Sequence, residues 1–154
     1  MKAYLKIIIP ATIAIILISI FVFLCIPRNL GNTLRFDDCE WVSISILANE
    51  IVSDQDGSQS VSEAESFTFQ RDADEFAAIN NLLSGYSYNM TFARNSGILS
   101  SNGATTSITI FGENGSSLFL SNTSGRNIAV NGTPRRMSEN KVIELLDKII
   151  GVCA

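Results

Sequence analysis

The side chains that could do chemistry in this 154-residue chain gather first in "IVSDQDGSQSVSE", residues 51–63. An EF-hand calcium loop needs oxygen ligands at positions 1, 3, 5 and 12 and a glycine at 6. With Gly57 at position 6, Asp54 falls at 3, Asp56 at 5 and Glu63 at 12. The first ligand position falls on Val52, which has no side-chain oxygen, and the usual aliphatic position falls on Gln59. The residues ahead of the loop alternate like a strand, not a helix. Asp54, Asp56 and Glu63 therefore form a weak metal candidate. No metal and no other cofactor is expected, and the stretch reads as a hairpin with Asp56-Gly57 at its turn.

Catalytic constellations are scarce. The chain has no histidine. That removes Ser-His and Cys-His pairs, the commonest general base and most zinc sites. Ser138-Glu139-Asn140-Lys141 has Ser-x-x-Lys spacing. Ser138 is better explained as a helix N-cap, and Lys141 as a solvent-facing helical residue. Asp72, Asp74 and Glu75 could supply paired carboxylates for glycosidase-like chemistry, but they also suit the first turn of a helix, where its dipole favours negative charge. No catalytic residue and no enzyme activity is expected. A small cell-envelope hydrolase using carboxylates or a Ser-Lys pair is the alternative.

Charge points to binding. Residues 37–75 hold eleven Asp and Glu against Arg71 alone, and residues 76–154 hold four acids against six bases. A nucleic-acid partner is excluded by such a balance. The acidic half is either a solvated face or a docking face for a cationic peptide, with Asp54, Asp56, Glu63 and Glu65 as partner-binding candidates. Arg126, Arg135 and Arg136 are a second group, able to grip phosphate, lipid headgroups or an acidic partner, or to pair with the chain's own acidic half. Trp41, Tyr86 and Tyr88 read as a groove lining or, more simply, as core.

Periodicity supplies the elements that must position these groups. "WVSISILANEIV" and "ESFTFQR" alternate as strands. "RDADEFAAINNLLSGYS" follows as a helix, with Asp72 and Glu75 as a capping box, Phe76, Ile79, Leu82 and Leu83 on its stripe, and Gly85 as its stop. "YSYNMTFA", "TTSITIFG", "SSLFLSN" and "NIAVNG" are further strands. Asn114-Gly115 marks a hairpin, because both residues can take positive φ. "ENKVIELLDKIIG" closes the chain as an amphipathic helix. The order β-β-α-β-β-β-β-α predicts an α+β fold: an antiparallel sheet with two helices packed on one face.

Ahead of this domain, residues 5–26, "LKIIIPATIAIILISIFVFLCI", are almost wholly apolar. A helix of that length reaches roughly 30 Å, enough to cross a bilayer. No Ala-x-Ala site follows it, which favours an uncleaved signal-anchor over a signal peptide, and Leu24 before Cys25 speaks against lipid attachment. The expected layout is a transmembrane anchor with a short cytoplasmic tail over residues 1–27, a polar linker over 28–38, and an extracytoplasmic α+β domain over 39–154. The protein is then a single-pass cell-membrane protein. Cys39 and Cys153 bracket the domain. Outside the cell they could form a disulfide worth about 4–5 kcal/mol; otherwise they are small buried thiols.

"DADEFAAINNLLSGYSYNMTF", "TSITIFGENGSSLFLSN" and "NIAVNG" before a final helix resemble small membrane-anchored extracytoplasmic domains of Gram-positive bacteria, an uncharacterised α+β family. The resemblance implies an extracytoplasmic module with no assigned active residues. The expected function is a membrane-tethered binding module without catalysis. It would serve in sensing, partner modulation or immunity-type capture of a cationic peptide. A structural accessory subunit of a membrane complex is a further alternative.

Overall fold

The structure is a computed structural model. It describes residues 2–54, 57–90, 105–122 and 128–154, with side chains for 9–48, 63–90, 105–122 and 128–154. In chain order the elements are α1 (Lys2–Cys25), β1 (Arg28–Asn29), α2 (Leu30–Leu34), a 3-10 turn (Phe36–Asp38), β2 (Trp41–Asp54), β3 (Gly57–Gln70), α3 (Asp74–Ser84), β4 (Ser87–Tyr88), β5 (Thr105–Gly112), β6 (Ser117–Ser121), β7 (Ile128–Val130), β8 (Thr133–Pro134) and α4 (Glu139–Cys153).

The class is α+β with an open antiparallel sheet. Six strands run in the order β3-β2-β5-β6-β7-β8. Period-two alternation gives the sheet one apolar face. Ile44 lies opposite Ile110 and Ile46 opposite Ile108. Leu118 and Leu120 continue these rows on β6, and Val130 and Ile128 on β7. All of them are buried, in one core with Phe76, Ile79 and Leu83 of α3 and Val142, Leu145, Leu146 and Ile149 of α4. Each fully buried aliphatic side chain in this core contributes about 1.5–3 kcal/mol of transfer free energy. The other face of the sheet carries Ser43, Ser45, Thr109 and Ser117, with Trp41, Phe111 and Phe119 exposed.

Three local expectations are corrected and one is refined. Residues 28–38 are not a linker: Leu30, Leu34 and Phe36 are fully buried. The Asn29 side chain caps α2 by accepting from Asn32 N at 3.0 Å. Of the strand expected at "YSYNMTFA", residues 91–93 lie outside the described residues, and the described part is strand at Ser87–Tyr88, paired with β1 in a separate two-stranded sheet. Asp72 is not a cap, because a turn from Ala73 N to Gln70 O at 3.0 Å delays α3 to Asp74. Asn114-Gly115 does lie in the turn of the β5–β6 hairpin, but not as a turn with two positive φ values. Gly115 alone adopts one, while the Asn114 amide donates to Leu34 O and Arg35 O, both at 3.0 Å. The two-residue turn of that type is Asn131-Gly132, φ 51° and 68°, between Val130 and Thr133.

α1 stands apart from this core. From Ile9 to Phe23 its large apolar side chains are exposed, and Leu24 is half-buried. Among the described residues no helix is long and apolar enough to cross a membrane; of the 24 residues of α1, those before Ile9 lie outside the described side chains.

Phe36 ties the α2 segment to the sheet. A Cβ added at Gly112 would stand 2.6 Å from Phe36 Cδ1 and 2.8 Å from Cε1. Gly112→Ala should therefore cost about 1–3 kcal/mol by overpacking. In thermal unfolding it should cost less beside Phe36→Leu than the two single changes summed. Strict additivity would mean that the ring does not seat there.

Candidate functional site

The long hairpin β2–β3 dominates the molecule outside the core. Every residue of β2 from Trp41 to Asp54 is paired with β3. On its other side β2 meets β5 only from Val42, opposite Gly112, to Asn49, opposite Thr105. Beyond Asn49 the hairpin continues as a ribbon with no further strand beside it among the described residues. Five more residues at about 3.3 Å each carry it roughly 17 Å past the sheet.

This register places the acidic candidates. Asp54 pairs with Gly57 at the end of the ladder, so Gly57 belongs to the strand and not to the turn. The Asp54 side chain and the whole of Asp56 lie outside the described residues. Glu63 pairs with Ala48 and Glu65 with Ile46; both are exposed. Glu63 lies six extended residues from Gly57, roughly 20 Å along the strand. Calcium ligands must meet at 2.3–2.6 Å from one ion, so Glu63 cannot share an ion with the turn. Among the described residues no group of three His, Cys, Asp or Glu could hold a metal.

Glu63 and Glu65 share the helix-covered face of the sheet with Phe67 and Phe69, which oppose Ile44 and Val42. The two rings lie parallel to within 5°, with centroids 6.2 Å apart. One row thus runs from two carboxylates to two half-buried rings. Glu65 also acts on the end of α4. Burial pushes the Cys153 thiol above its ordinary pKa, and the Glu65 charge adds to the shift.

Ladder alternation settles which peptide groups of β3 are free. Arg71 N donates to Glu40 O at 2.9 Å, and Glu113 N to Trp41 O at 3.4 Å. Even-numbered residues of β2 therefore bond to β3, and odd-numbered ones to β5. On β3 the residues Glu63, Glu65, Phe67 and Phe69 turn their peptide groups to β2. Ala64, Ser66 and Thr68 turn theirs outward, where β3 is the edge of the sheet. The opposite edge is guarded: β8 has two residues and ends in Pro134, which has no N–H to offer.

The remaining candidates are dispersed. Arg126 lies outside the described residues. Arg135 is half-buried, with its guanidinium 5.8 Å from the centre of the Tyr88 ring. Arg136 is exposed and forms a backbone bridge with Asn89. Tyr86 and Tyr88 are core, whereas Trp41 sits on the opposite sheet face, so the three line no common groove. Lys148 donates to Glu144 at 2.6 Å and to the Tyr86 hydroxyl at 3.2 Å. The hydrogen bond to Lys148 holds the Glu144 carboxyl below its ordinary pKa, and the same bond holds Lys148 above its own. Ser138 is the N-cap residue of α4, without a side-chain cap bond. No hydrogen bond among the described residues joins its hydroxyl to Lys141. Cys39 and Cys153 are free thiols, Cys39 buried with its sulfur 3.9 Å from Arg35 O. No family model, curated protein or solved structure matches the chain.

Sequence reasoning found Glu63 and Glu65 by their charge but missed the open edge beside them. The signal was the polar alternation "SQSVSEAES", which has no proline or lysine to blunt a strand edge.

Because thiolate is the nucleophile, Cys153 in a Cys25→Ser background should be alkylated by iodoacetamide at pH 8 more slowly than a free thiol. Glu65→Gln lowers the thiol pKa and should speed the reaction by a factor of about two to five. The difference should vanish at higher pH, where both thiols are ionised. An unchanged rate would separate Glu65 from Cys153.

Proposed function

We propose that this chain is a membrane-tethered extracytoplasmic binding module that captures a cationic partner without catalysis. The observation that carries this reading is the β2–β3 ribbon. Residues 41–70 contain Glu50, Asp54, Asp56, Glu63 and Glu65 and no lysine or arginine. Beyond Asn49 and Ser62 the ribbon extends past the sheet, and Glu63 and Glu65 are exposed beside that extension, where salt screens their field. A strand pair of one charge sign steers an oppositely charged partner and raises its capture rate.

The tether rests on α1. Its 24 residues make about 36 Å of helix. Residues 5–26 are nearly all apolar, and the described side chains among them are apolar on every side of the helix. A helix without a polar face requires a surrounding apolar phase. A bilayer is the phase that suits an N-terminal helix left uncovered by its own domain. A tethered receptor also raises the local concentration of what it binds. The resemblance to small membrane-anchored domains of Gram-positive bacteria agrees with this layout.

A second reading, a structural accessory subunit, has one observation in its favour. Trp41, Phe111 and Phe119, 37%, 50% and 40% exposed, lie on the uncovered sheet face. Neighbouring strands set them on a diagonal across three strands. Glu63 and Glu65 lie on the other face, so the two readings use different surfaces.

Co-flotation tests the proposal. The full chain reconstituted with neutral-lipid vesicles should float and carry fluorescent decalysine with it at low salt. A variant with Asp54→Asn, Asp56→Asn, Glu63→Gln and Glu65→Gln should float equally and retain at least about tenfold less peptide, with a weaker salt dependence. Equal retention would remove the ribbon as the capture surface. Failure of the chain to float would remove the tether.

A further inference from the structure

We infer that the open edge of β3 takes an extended basic segment of another protein as a seventh strand of the sheet. This rests on the capture reading above and specifies how the partner is held. Strand addition requires an uncovered edge, outward peptide groups and a side-chain row that selects the sequence. The edge is β3, 14 residues long. Ala64, Ser66 and Thr68 present unpaired N–H and C=O groups there among the described residues. Both neighbouring faces are accessible, since residues 63–66 are all exposed.

The side-chain row defines the occupant. On the helix side it reads Glu63, Glu65, Phe67, Phe69. Side chains of an added strand on that face lie about 4.5–5.5 Å from these residues. Lysine or arginine suits the two glutamates, and β-branched or aromatic residues suit the two rings. The fitting segment has two basic and two apolar residues at alternate positions, with small polar residues between them opposite Ala64, Ser66 and Thr68. A second copy of the chain is the natural rival at any sheet edge. Charge disfavours it: each ribbon carries five acidic side chains and no basic one, so two ribbons side by side repel while a basic strand is attracted. The unequal edges agree with this assignment. The β8 edge is short and closed by Pro134, whereas the β3 edge is long and unblocked among the described residues.

The probes are labelled peptides of sequence Lys-Thr-Lys-Thr-Val-Thr-Val and its reverse, titrated by anisotropy into the full chain in detergent. At least one of the two directions should bind. N-methylation of its alternate peptide nitrogens, which removes strand hydrogen bonds and keeps the charge, should weaken binding at least about tenfold. Ser66→Pro removes an outward N–H that the ladder with β2 does not use. It should weaken the same peptide similarly and leave the thermal midpoint and far-ultraviolet spectrum of the chain in place. Should that variant unfold, the N-methyl comparison on the unaltered chain decides alone. If N-methylation has no effect while the four carboxamide substitutions still reduce binding, charge capture stands and strand addition is overturned. If neither peptide binds and sedimentation shows a dimer that Ser66→Pro dissociates, the edge belongs to a second copy and the inference is overturned.

Discussion

The unequal partners of β2 determine the shape of this protein. On one side β2 is paired along all of its residues with β3; on the other, β5 accompanies it only as far as Asn49. Where both partners are present, Val42, Ile44 and Ile46 are buried under the helices. Where β5 ends, the same strand pair continues without a third strand among the described residues, and Glu50, Asp54 and a run of Ser and Gln join Ile51, Val52 and Val61 there.

From that constraint follow the two properties that matter for binding. The first is the distribution of charge. Acidic residues cannot enter the apolar core without large desolvation costs; Glu63 and Glu65, opposite Ala48 and Ile46, stay exposed on the outermost strand, in line with Phe67 and Phe69. The second is the free edge. β3 is outermost because β2 has β5 on its other side, and the hairpin leaves nothing beyond β3 among the described residues. Acidic side chains and unpaired peptide groups thus lie side by side on one strand. The free thiol of Cys153 at the end of α4, under the influence of Glu65, links this strand to the last helix.

The sequence made the class and the main core legible because strong periodicities carry them. The alternation of residues 41–48, the stripe of α4 and the stripe of α3 all survive in the structure. Short elements did not carry such a signal. Leu30 and Leu34 are one helical turn apart, with Gly31, Asn32 and Thr33 between them, and two apolar residues in a polar segment look like a linker until Phe36 and Gly112 are seen to lock it down. Tyr86 and Tyr88 alternate like a strand of the main sheet, yet their neighbours are β1 and the helices. Asn-Gly occurs at both 114–115 and 131–132; only at 131–132 do two flanking strand residues leave a two-residue gap, so the dipeptide alone could not distinguish the turns. The acidic site was half legible. Counting residues as if they formed a compact loop brings Glu63 to Asp54 and Asp56, whereas an extended ladder separates it from the turn by roughly 20 Å.

Native-state hydrogen exchange of the full chain, resolved by residue along β3, tests the open acidic edge most directly. Amides facing β2, those of Glu65 and Phe67, should exchange slowly, and those of Ala64, Ser66 and Thr68 should exchange fast, in strict alternation. Uniform slow exchange along the strand would mean that the edge is already covered in the free protein, and would contradict its role as a docking strand.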